Sequence, residues 1–248
     1  MLELRNIEAC YGRSQALFGI DLSVGTGEIV TLLGRNGMGK TTTVRCITGQ
    51  LPLKAGIVTF EGRRIDDEAS YRICQSGIAV VPEGRRIFPN LSVRENLVCT
   101  GVSRPAGAIQ WTLGRVLDLF PKLAERINHP GNALSGGEQQ MAAIGRALMT
   151  NPKLLIMDEA TEGLAPLIRE EIWRCIEILR KQHLSILLID KNLEHLLQLG
   201  TRHYVIVKGK VVWSGDSASF RANPEIEHRY LEMVVQPADS IDPPSASQ

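Results

Sequence analysis

Apolar positions alternate along the first 33 residues with the two-residue period of half-buried strands. Leu2, Leu4 and Ile7 mark one run, Ile20, Leu22 and Val24 another, and Ile29–Leu33 is apolar on both faces. A glycine-rich loop follows, then a helical run from Lys40 to about Gly49. Gly56–Arg63 reads as a strand with a turn at Glu61-Gly62, and Ile78–Val81 as a short β-branched strand closed by Pro82. From about residue 91 to 150 the pattern becomes helical: Val93–Val98, Ile109–Phe120 and Glu138–Met149 suit helices separated by Gly- and Pro-containing loops. Strands return at Leu154–Met157 and Ile186–Ile189. The helix predicted between them, Leu167–Gln182, lines up Ile168, Ile172, Cys175, Ile176 and Leu179 on one face. Tyr204–Val207 and Val211–Trp213 bracket Lys208-Gly209-Lys210 as a hairpin.

Apolar strands alternating with helices predict an α/β fold: a mostly parallel sheet covered by helices, with an antiparallel β layer in front and an inserted helical segment. A 44% hydrophobic, 22% charged composition excludes a disordered or fibrous chain, and 248 residues suffice for a core without disulfide or metal staples. Residues 1–235 read as the folded unit, and the Pro-, Ser- and Asp-rich stretch 236–248 as a disordered tail. A net charge of +1 gives nucleic-acid binding no support. No apolar run approaches the length of a membrane span, and the first residues lack a secretory signal, so a cytosolic chain is expected. Five scattered cysteines with no CxxC pair read as reduced thiols, not a disulfide or zinc site.

Three motifs carry chemistry. Gly34-Arg-Asn36-Gly37-Met-Gly39-Lys40-Thr41-Thr42 fits GxxxxGK[ST], placed between an apolar strand and a helix. Such a loop turns backbone N–H groups toward phosphates, while the lysine reaches the outer phosphates and the Thr41 hydroxyl can ligate Mg²⁺. Leu154–Met157 ends in Asp158-Glu159. Alone that is a strand meeting solvent; beside the P-loop it reads as a Mg²⁺-linked carboxylate followed by a general base. Ser135-Gly136-Gly137-Glu138-Gln139 opens a helix. By itself Ser135-x-x-Glu138 is a capping box, but a hydroxyl, glycine amides and a positive helix end also suit phosphate. One nucleotide cannot easily sit on two helix N-termini so far apart in sequence, so the second motif is expected to serve a nucleotide held by another subunit.

These motifs, in this order, resemble the ATPase subunit of an ABC transporter over about residues 2–233, and the SGGEQ signature separates that family from other P-loop NTPases. The resemblance implies a P-loop NTPase (RecA-like) core, with the helical subdomain at about 91–150. It implies two such subunits, identical or different, enclosing two ATP molecules. Each P-loop would face the partner's Ser135, Gly136, Gly137 and Gln139. Tyr11 matches the aromatic that stacks on adenine, and Glu83 stands where relatives usually have a glutamine sensing Mg²⁺ and water. The stretch Glu83–Leu97, with Arg85 and Arg86, adjoins the region contacting membrane subunits in relatives; the two arginines also read as a solvated basic pair. Ala160 replaces the usual proline, and Ala165 the usual aspartate of the following loop. Lys191 replaces the histidine that contacts the γ-phosphate. A lysine can still offer a positive donor there; the other reading has it facing solvent.

Val-Pro-Glu83-Gly-Arg-Arg-Ile-Phe, the signature and Thr161-Glu162-Gly-Leu-Ala-Pro together resemble the smaller ATPase of bacterial branched-chain amino-acid importers, whose near relatives serve urea or short amides. That implies ATP and Mg²⁺ as ligands, Lys40, Glu159 and Lys191 as catalytic groups, and Thr41, Glu83 and Asp158 around the metal. It further implies permease partners, an indirect solute-binding protein, and a place on the inner face of the plasma membrane. A cassette ATPase without a permease is the alternative, but DNA-repair members carry a long coiled coil and translation members two motors, features absent here. A nucleotide-dependent module without turnover is disfavoured by Asp158-Glu159.

Overall fold

The computed structural model describes residues 1–102 and 110–231. The expected helix start at Ile109 and the expected tail therefore lie outside the described residues. Strands β1 (Leu2–Tyr11) and β2 (Ser14–Val24) pair antiparallel, and β3 (Ile29–Leu33) leads through the glycine loop into α1 (Lys40–Ile47). Next come β4 (Leu53–Phe60), the short β5 (Arg63–Arg64), α2 (Ser70–Ser76) and β6 (Ile78–Val81). Four helices follow: α3 (Val93–Val98), α4 (Leu113–Leu119), α5 (Pro121–Glu125) and α6 (Gly136–Met149). The chain then returns through β7 (Leu154–Asp158), α7 (Pro166–Lys181), β8 (Ser185–Ile189) and α8 (Leu193–Leu199). It continues into β9 (Arg202–Val207), β10 (Lys210–Gly215), α9 (Ser217–Arg221) and α10 (Pro224–Tyr230).

The front sheet is antiparallel in the order β2-β1-β4-β5, and the larger sheet has the order β10-β9-β3-β8-β7-β6. In the larger sheet only the edge strand β10 runs antiparallel to its neighbour. Its central strands read as near-continuous apolar runs, interrupted by the buried Thr31, because both faces are covered. Ile29 and Leu33, Leu155 and Met157, and Ile186 and Leu188 point into a core shared with α6 and α7. Their neighbours Val30 and Leu32, Leu154 and Ile156, and Leu187 and Ile189 point the other way, against the front sheet and α1. This places the C-terminal ends of β3, β6, β7 and β8 along one rim, where the loops carrying Lys40, Glu83, Asp158 and Lys191 emerge.

Several helical boundaries differ from the sequence pattern: α4 begins only at Leu113, capped by Thr112, and α7 runs Pro166–Lys181 in place of Leu167–Gln182. The expected Ile109–Phe120 helix ends at Leu119, because Pro121 drives the preceding Phe120 out of the helical region (φ −129°, ψ 75°) and opens α5 as its first residue. Helix α6 begins at Gly136, not Glu138, because Ser135 caps it in a complete capping box: its hydroxyl accepts from the Glu138 amide and its amide donates to the Glu138 carboxylate. The hairpin turn is tighter than expected: Lys208 (φ 46°) and Gly209 (φ 73°) alone make it, and Lys210 already belongs to β10.

Candidate functional site

The P-loop wraps the end of β3. Gly34 (φ 151°) must be glycine, since a Cβ there would lie 2.5 Å from the Ile206 carbonyl oxygen. Gly39 caps α1 in a left-handed conformation (φ 110°), which swings the chain round before Lys40. The Lys40 side chain is almost wholly buried, and its Nζ donates to the carbonyls of Gly34 (2.8 Å) and Arg35 (3.1 Å). Asn36 and Gly37 form the exposed rim, and Thr41 and Thr42 are half-buried in the first turn of α1. Gly209 buttresses the loop from behind, its N–H donating to the Met38 carbonyl (2.9 Å) and its carbonyl accepting from the Phe18 amide (2.9 Å).

Asp158 ends β7 with 2% exposure, and its Oδ1 has no hydrogen-bond partner. Burial pushes its carboxyl above the usual carboxylate range, while the Thr41 side chain and the charges of Lys40 and Arg45 pull the other way. A buried carboxylate oxygen left unpaired beside a threonine hydroxyl is an unfilled acceptor, and hard oxygen donors of this kind suit Mg²⁺. Glu159 follows in a left-handed backbone conformation (φ 52°), pinned by its amide to the Ile189 carbonyl at 2.8 Å. Its carboxylate lies 3.6 Å from Lys40 Nζ and 3.9 Å from Lys191 Nζ. Burial first, then the adjoining Glu162 carboxyl, lifts the Glu159 pKa to about 7, against the attraction of the two lysines.

Glu83, just beyond β6, brings its carboxylate within 4.8 Å of those of Glu159 and Glu162. A cavity of about 330 Å³ connects these three acids with Arg85 and Gln139. Thus Lys40, Thr41, Glu83, Asp158, Glu159 and Lys191 converge. Tyr11 ends β1 beside α1, where Arg45 donates to its hydroxyl (3.1 Å) and leaves the ring 43% exposed. Ser135 and Gly136 do not join the cluster: among the described residues no hydrogen bond or ion pair links them to the P-loop. Ser135 is exposed at the start of α6, with the Arg85 guanidinium packed beside Gly136.

Sequence reasoning missed three participants. Glu162 pairs with Lys191. Asp190 accepts from the Thr161 amide (3.2 Å) and hydroxyl (2.7 Å) through one oxygen, and from the amides of Lys191 (2.8 Å) and Asn192 (3.1 Å) through the other. Arg45 sets Tyr11. Each acts through a partner distant in sequence, so no local pattern announces it.

The ABC transporter family profile matches residues 17–162. The chain belongs to the ABC transporter family. It is an ATP-binding cassette and an ATPase. It is 41% identical over 231 residues to the high-affinity branched-chain amino acid transport ATP-binding protein BraG of Pseudomonas aeruginosa, across 93% of this chain and 99% of that one. Among solved structures it resembles the ADP conformation of MJ1267, an ATP-binding cassette of an ABC transporter, with a TM-score of 0.78 and 27% identity over 92% of this chain and 97% of that one. It also resembles the dimeric structure of MJ0796, a bacterial ABC transporter cassette, with a TM-score of 0.76 and 25% identity over 88% and 99% of the two chains. The parallel core with a front β sheet is the cassette fold. Among the described residues no helix is long and apolar enough to cross a membrane.

Proposed function

We propose that this cassette powers import of branched-chain amino acids or a related small polar solute. It would work as one of two cassettes, docked on permease subunits at the inner face of the plasma membrane. The 41% likeness to BraG along nearly the whole chain supports the solute class, and the dimeric MJ0796 cassette supports the pairing.

In this reading the amides of the Gly34–Gly39 loop and Lys40 hold the β- and γ-phosphates, and Tyr11 stacks on adenine. Thr41, Asp158 and Glu83 would hold Mg²⁺, which when bound neutralises charge on the phosphates. Glu159 takes a proton from the attacking water as its oxygen bonds to the γ-phosphorus. The bond to the β,γ-bridging oxygen breaks, and ADP leaves with that electron pair. A base with a pKa near 7 is well matched to this step at neutral pH. Lys40 and Lys191 stabilise the charge that develops on the transferring group. Ser135 is exposed, Gly136 and Gln139 are half-buried and Gly137 is buried; together they would complete the partner's nucleotide site.

The observation that carries this reading is the meeting of Lys40 and Glu159 beside the unpaired Asp158 oxygen. The pairing is tested by blocking the signature with Ser135→Arg in the assembled complex. ATP binding should persist while turnover falls at least tenfold; unchanged turnover would remove the composite site from the account.

A further inference from the structure

The loops after β7 and β8 are bolted together by Asp190, whose carboxylate spans Thr161 on one side and Lys191 and Asn192 on the other. From this rigid mount the Lys191 side chain reaches to Glu162, with which it forms a close ion pair, and to Glu159 at 3.9 Å. Lys191 also borders a cavity of about 570 Å³ whose wall includes Gly34, Arg35 and Asn36 of the P-loop as well as Leu196 and Glu227. The lysine therefore borders two places: an acidic one, where its charge is satisfied, and an open one that adjoins the start of the P-loop. Its side chain is 52% exposed and carried on a flexible four-carbon stem.

We propose that Glu162 is a tether for Lys191. It is a positioning residue that holds the ammonium beside Glu159 and must give it up before Lys191 can pair with the terminal phosphate of ATP. This rests on the reading of the P-loop pocket as the ATP site. Charge bookkeeping supports it: Lys40, Glu159, Lys191 and Glu162 form a chain of alternating sign, and a γ-phosphate brings negative charge that competes with Glu162 for the lysine. ADP brings no such group, so the tether should discriminate between the two nucleotides.

The test measures binding of fluorescent trinitrophenyl-ATP and trinitrophenyl-ADP to the full chain in EDTA, independently of turnover. Glu162→Ala and Glu162→Gln should each tighten the ATP analogue about two- to fivefold, the range of a partly exposed ion pair, and leave the ADP analogue unchanged. Glu162→Asp, which keeps the pair, should bind like the wild type. In a Lys191→Ala background Glu162→Ala should add nothing. Unchanged ATP-analogue affinity, an equal shift for both nucleotides, or a shift that survives in the Lys191→Ala background would each overturn the tether. Undiminished binding of both analogues by Lys40→Ala would instead overturn the underlying reading of the P-loop pocket as the ATP site.

Discussion

Lys40 Nζ and the Glu159 carboxylate face one another at 3.6 Å, between side chains that are only 6% and 9% exposed. Each is the other's nearest compensating charge in a site that excludes most water. In the proposed ATP site, removing the lysine would deprive the phosphates of a cation and leave Glu159 harder to ionise. Lys40→Ala should weaken ATP binding at least tenfold and abolish turnover, measured by fluorescent-nucleotide titration and phosphate release on the same preparation.

The same burial makes Glu159 a stability liability. Its folded pKa of about 7 lies above the ordinary 4.5, so the unfolded chain ionises first as pH rises. Stability contributed by the protonated group is complete below 4.5 and is lost as pH rises through 7. Glu159→Gln removes this loss and should be more stable than the wild type at pH 8 by about 1 kcal/mol, a rise in Tm of roughly 2–4 °C. The difference should shrink toward pH 5. Thermal scans at both pH values check it.

His203 behaves in the opposite sense. It is fully buried on β9 opposite Thr31 of β3, with Nδ1 2.7 Å from the Thr31 hydroxyl and Nε2 2.7 Å from that of Ser217. Burial lowers its pKa from 6.5 to about 4. The neutral ring therefore contributes stability that is whole above pH 6.5 and is lost as pH falls through 4, on the order of 2–3 kcal/mol. His203→Gln should be less stable at neutral pH, with a flatter pH profile between 6.5 and 4 in urea titrations.

Gly209 joins the β9–β10 turn to the back of the P-loop. A Cβ there would lie 2.1 Å from the Ala16 carbonyl oxygen, and the φ of 73° disfavours any side chain. Gly209→Ala should cost about 2–4 kcal/mol and weaken nucleotide binding as the support under Met38 shifts. Calorimetry with nucleotide titration reads both.

Legibility followed how local each signal was. Ile29–Leu33 and Leu154–Met157 are apolar on both faces because they are central strands, and α7 shows its buried face at helical spacing. Helices α2, α5, α8, α9 and α10, with seven residues or fewer, show too little of a helical period to stand out in the sequence. The break at Phe120 is signalled by Pro121, although the apolar pattern runs on through it. In the site, the P-loop and Asp158-Glu159 are contiguous motifs and could be read directly. Glu162 and Lys191 lie 29 residues apart and meet only because β7 and β8 are adjacent strands, a tertiary fact with no sequence period.

The central claim, that this pocket hydrolyses ATP with Glu159 as the base, is tested most directly by phosphate release from Glu159→Gln at saturating ATP, with binding measured in parallel. ATP affinity should stay within about threefold of the wild type while turnover falls at least a hundredfold. Wild-type turnover with ATP bound would contradict it.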